Sequence, residues 1–66
     1  MEFGEQLLMF RAKHKLTQLE LSRLLNVSTT MVYFYESGKS SPSKANKIYF
    51  ENVMNEYERS KENVSL

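Results

Sequence analysis

Residues 16–38 constrain this chain most, because two short helices and the tight turn between them are written there in local signals. Thr17 followed three residues later by Glu20 forms a capping box, in which a hydroxyl and a carboxylate satisfy backbone N–H groups that a helix start leaves unpaired. Leu16 and Leu21 flank that cap as a hydrophobic staple. Ser28 caps a second helix with Val27 and Val32 as staple, although Met31 stands where a reciprocal Glu or Gln would complete the box. Between the helices the chain reverses within about three residues. Such a reversal commonly needs a positive φ, and Asn26 is the non-glycine residue type that best tolerates it. Gly38 then stops the second helix in a left-handed cap. Leu21, Leu25, Val27, Val32 and Tyr35 share the concave side of the pair, where Ser22 is small enough for close approach.

Upstream, Phe3, Leu7 and Phe10 recur at helical spacing, which predicts a first helix from residue 3 to about residue 13 with one stripe facing the core. Lys13, His14 and Lys15 at its end complement the helix dipole. His14 reads as a single solvated histidine, since no second ligand type lies near it. Downstream, residues 39–42 are polar, with Ser41 as a cap and Pro42 at a first helical position. In the fourth helix Ala45, Ile48, Tyr49, Asn52 and Val53 line one stripe, while Phe50, Val53, Met54 and Tyr57 line a second. That arc is wider than one small core needs, so Phe50, Val53, Met54 and Tyr57 form the expected dimer or partner surface. The domain is expected to span residues 1–58, leaving 59–66 as a polar, disordered C-terminal tail.

Sixty-six residues make one domain that buries only about 60% of its unfolded surface, which leaves little room for an enclosed active site. With no Cys, no Asp and one His, the usual nucleophile–base and metal-ligand sets cannot be assembled, so an enzyme is not expected. Neither a cofactor nor a metal is signalled. No run of about 18 apolar residues occurs, so no membrane span is expected, and the lack of Cys fits a cytoplasmic protein. Charge is uneven along the chain. Residues 1–50 carry seven Lys or Arg against four Glu, and residues 51–66 carry two against four. A mildly basic body suits a small nucleic-acid-contacting domain and equally suits a solvated surface.

Taken together with Phe3, Gly4, Glu5, Leu7, Phe10 and Arg11 before it and Glu36, Ser37, Gly38, Lys39 and Pro42 at its end, the double-capped segment resembles the helix-turn-helix of the phage-repressor and Cro family. The likeness covers residues 3–48. It implies an all-α fold, a small bundle of four to five short helices like the lambda-repressor DNA-binding domain, with the helix-turn-helix at its centre. It also implies a transcriptional regulator, a Cro-like repressor of phage or mobile-element type, that places its third helix in the major groove of an operator as a homodimer. Carried across residue by residue, Ser28, Thr29, Thr30, Tyr33 and Phe34 would read bases. Gln18, Ser28, Ser37, Lys39 and Ser40 would position phosphates, with Lys44 and Lys47 adding longer-range attraction. Arg11 would pair with Glu36.

Two departures from that family pattern bear on function. No Arg, Lys, Asn or Gln lies between Thr29 and Tyr35, so the bidentate base contacts are missing, while Thr, Tyr and Phe can meet thymine methyls and favour an A·T-containing site. Leu8, Leu19, Leu24, Met31 and Phe34 also occupy outer positions that are usually polar. The alternative function is therefore a protein-binding modulator or antirepressor that presents this scaffold to another repressor.

Overall fold

The computed structural model describes residues 2–64, and among them four helices follow one another: α1 (Phe3–His14), α2 (Gln18–Leu25), α3 (Thr29–Ser37) and α4 (Lys44–Val64). None of these is long and apolar enough to cross a membrane. The small all-α bundle expected from the sequence is present, with one long helix at its end.

The helix starts follow the capping chemistry. Thr17 Oγ1 accepts from Glu20 N at 3.0 Å while Glu20 Oε1 accepts from Thr17 N at 2.8 Å, and Ser28 Oγ accepts from Met31 N at 3.1 Å. α4 begins two residues later than expected, because Ser43 Oγ rather than Ser41 accepts from the third helical N–H, that of Asn46, at 3.2 Å. Residues 41 and 43 are both serines, so the local chemistry does not choose between them. The first three helices all end on a left-handed residue: Lys15 (φ 55°), Asn26 (φ 61°) and Gly38 (φ 81°). In each case the next N–H closes back on the helix, as in Leu16 N to Arg11 O, Val27 N to Ser22 O and Lys39 N to Phe34 O, all at 2.9 Å.

The core draws on every helix. Phe3, Leu7 and Phe10 of α1, Leu21 and Leu25 of α2, Val32 and Tyr35 of α3, and Phe50 and Met54 of α4 are buried together. Phe3 anchors an aromatic triangle, its ring centroid 5.7 Å from Tyr35 edge-on and 5.9 Å from Phe50, with Tyr35 and Phe50 also 5.9 Å apart. Ser22 is buried where α2 meets α3, and its hydroxyl donates to Leu19 O at 2.7 Å, so close packing leaves no orphaned donor.

This triangle corrects the expected partner surface. Phe50 and Met54 are only 2% and 7% exposed and belong to the core, while Ile48 and Tyr49 stand half exposed. Both stripes of α4 have helical period, and period alone does not say which one faces inward. The larger, aromatic stripe faces inward because Phe3 and Phe10 present rings to it. Val53 and Tyr57 pack against the core at its margin.

His14, expected to be solvated, is instead packed between α1 and α4. Its ring lies 4.7 Å from that of Phe10 and 5.0 Å from that of Tyr57, and Nε2 is 3.1 Å from Glu58 Oε2. Lys13 Nζ reaches the same oxygen at 2.7 Å. α4 also continues as helix past residue 58, where the tail was expected to begin. Arg59 pairs with Glu56 one turn back at 2.9 Å, and Lys61 Nζ sits 5.3 Å from the Tyr57 ring centre, so local contacts carry the helix onward. The last two residues of the expected tail lie outside the described residues.

Hydrogen bonds from Lys13, then from His14, hold the Glu58 carboxyl below its ordinary value of 4.5. The stabilisation from these contacts is therefore complete above the ordinary carboxylate value and is lost as pH falls through the depressed one. Wild-type protein should melt higher than Glu58→Gln at pH 7, and the gap should close below about pH 4.5 as the wild-type carboxyl protonates. Thermal melts of both proteins from pH 7 to pH 3 check this, and a gap that persists unchanged at pH 3 would contradict it.

Candidate nucleic-acid interface

α3 is gripped on one side and bare on the other. Val32 is fully buried and Tyr35 nearly so, while Thr29, Thr30 and Tyr33 are exposed and Phe34 is half-buried. The amphipathic division follows from the 3.6-residue period, which sends positions 32 and 35 inward and leaves 29, 30 and 33 outward. Packing α3 against both α1 and α2 makes that outward face a rigid ridge.

Its orientation is fixed at one corner by charge. Arg11 of α1 forks onto Glu36 at the end of α3, Nε to Oε2 at 2.7 Å and Nη2 to Oε1 at 3.0 Å. Gln18 Nε2, from the first residue of α2, donates to the same Oε1 at 3.0 Å, and Arg11 Nη1 donates to Leu16 O at 3.2 Å. Three helices therefore meet at one carboxylate. The hydrogen bond from Arg11 to Glu36 raises the arginine pKa still further above its ordinary value, so the guanidinium is charged under all working conditions.

This network changes the reading of Gln18. Its amide, expected at a phosphate, is turned onto Glu36, and what α2 offers at that end is the backbone N–H of Gln18 and of Leu19, since Glu20 N is taken by Thr17 Oγ1 and Leu21 N by Thr17 O. The sequence carried no direct signal of this third donor. A Gln immediately after an N-cap can equally point outward.

Around the bare face, Ser28 accepts from Met31 N as the α3 cap and keeps its own O–H available as a donor. Thr29 Oγ1 lies 3.4 Å from Ser22 Oγ, which draws its hydroxyl toward α2. Ser37 Oγ donates to Phe34 O at 3.2 Å. The loop beyond is pinned by Lys39 N and Ser40 N, both of which donate to Phe34 O. Lys39 Nζ lies 5.8 Å and 5.7 Å from the ring centres of Tyr33 and Phe34, so an exposed cation stands over the two aromatics of the ridge. Lys44 is exposed at the start of α4. The structure therefore brings Ser28, Thr29, Thr30, Tyr33, Phe34 and Lys39 onto one surface, with Gln18 withdrawn from it.

A family model described as helix-turn-helix matches residues 7–46, which run from α1 through all of α2 and α3 into the start of α4. No curated protein and no solved structure matches the chain.

Proposed function

Because this chain belongs to that helix-turn-helix family of DNA-binding regulators, we propose that it is a sequence-specific transcriptional repressor of the Cro-like, phage or mobile-element type. It acts by occupying an operator. α3 enters the major groove, with Thr29, Thr30, Tyr33 and Phe34 toward the base edges and Ser28 at their margin. Lys39, Ser37, Ser40, Lys44 and the first N–H groups of α2 meet the phosphates. The observation that carries this reading is the division of α3, buried at Val32 and Tyr35 and open at Thr29, Thr30 and Tyr33.

One short helix reads few base pairs, so the operator is bound by a homodimer across two half-sites about one helical turn apart. The dimer surface is the outer face of α4, where Ile48 and Tyr49 are half exposed beside Val53 and Tyr57. The modulator reading has one observation in its favour, the exposure of Leu8, Met9 and Leu19 on α1 and α2.

Salt-titrated binding to operator-containing and random duplexes tests the assignment. Lys39→Ala should weaken binding to every sequence and lower the salt slope by about one unit, whereas Thr30→Ala should leave the slope alone and relax discrimination at one base pair. Equal losses from both substitutions would argue against these roles. No shift of any duplex, together with co-purification of a second repressor, would favour the modulator.

A further inference from the structure

Resting on the reading of α3 as a major-groove helix, we infer that the chain identifies its site chiefly through base C5-methyl groups, and so accepts 5-methylcytosine where it accepts thymine. The outward face of α3 has little hydrogen-bonding capacity left for a base edge. Thr29 Oγ1 faces Ser22, Ser37 donates to the backbone of its own helix, and Ser28, at the margin of the face, keeps a single O–H donor beside its cap bond. No Arg, Lys, Asn or Gln occurs from Thr29 to Ser37, and the Lys39 ammonium stands over the Tyr33 and Phe34 rings.

Two aromatic rings 5.9 Å apart and the methyl groups of two threonines remain on that ridge. The hydroxyls of Thr30 and Tyr33 each donate or accept, so they fit either edge of a base pair and discriminate poorly. An apolar ridge discriminates by shape. In the major groove the one apolar landmark is the C5-methyl of thymine. Cytosine methylated at C5 puts the same group at the same ring position, whereas uracil keeps the hydrogen-bonding edge of thymine and lacks the methyl. The ridge therefore groups thymine with 5-methylcytosine and separates both from uracil and cytosine.

The test uses duplexes enriched on the full chain from a random library, resynthesised with single thymines replaced by deoxyuridine, cytosine or 5-methylcytosine, each paired with its proper complement. Uracil at a contacted position should weaken binding about fourfold, equivalent to about 0.8 kcal/mol for one buried methyl-sized group, and 5-methylcytosine should bind tighter than cytosine at the same position. Tyr33→Ala or Phe34→Ala, each checked for helix content by circular dichroism, should bring the thymine-to-uracil ratio toward one at the positions it contacts. Lys39→Ala should lower affinity for all versions alike. Undiminished binding to every uracil duplex overturns the inference while leaving DNA binding intact, as does a thymine preference that survives in both aromatic variants. Failure to enrich any duplex removes the underlying reading and the inference with it.

Discussion

Replacing Arg11 with Ala should lower the unfolding free energy by about 3 kcal/mol, and the melting temperature by roughly 12 °C or more in a domain of this size. The reason lies in the partner that stays behind. The Glu36 side chain is 5% exposed and that of Arg11 is 25% exposed, so the truncation leaves a carboxylate almost enclosed, with Gln18 as its remaining side-chain donor. Breaking a buried pair from one side strands a charge, whereas replacing both members with apolar residues of similar volume removes the desolvation cost as well. Arg11→Met combined with Glu36→Leu should therefore be less destabilising than either change alone. A chain of 66 residues has a total stability of about 3–10 kcal/mol, so the single variant stands close to unfolding. Urea unfolding of the two single variants and the double variant measures the coupling. Additive effects, each below about 1 kcal/mol, would mean that the fork is a surface contact.

The same corner shows what the sequence could and could not carry. Capping at Thr17 and Ser28 was legible because a capping hydroxyl bonds to the N–H three residues on, so the partner is visible in one dimension. Asn26 and Gly38 were legible because left-handed backbone selects those residue types. Lys15 adopts the same conformation without being such a type, and no local signal marked it. The partners of Gln18, His14 and Glu58 are long-range and depend on how helices cross, which no spacing rule reaches. The outward set on α3 was legible once the helix was fixed by its caps, since Val32 and Tyr35 are its apolar, inward positions. The facing of α4 was not, because its two apolar stripes overlap at Val53, and Phe3 and Phe10, more than forty residues away in sequence, decide between them.

Gly4→Ala should destabilise the fold by about 2 kcal/mol, although at an ordinary helix position the same change would stabilise by about 1 kcal/mol. A methyl at Gly4 would stand 2.4 Å from the carbonyl oxygen of Tyr35, 3.2 Å from that of Glu36 and 3.4 Å from Glu36 Cα. These are backbone atoms of α3, and the Tyr35 oxygen already accepts from Gly38 N in the left-handed cap, so they cannot rotate aside as a side chain would. Relief requires moving α1 away from α3. That movement would open the aromatic contact of Phe3 with Tyr35 and lengthen the reach from Arg11 to Glu36, both of which bridge the same two helices. The glycine thus sets the spacing on which the core triangle and the ion pair depend, and through them the attitude of α3. Because helix propensity and close packing predict opposite signs here, the sign of the change in urea unfolding separates them. A stabilised Gly4→Ala protein would show that α1 and α3 stand further apart than this geometry requires.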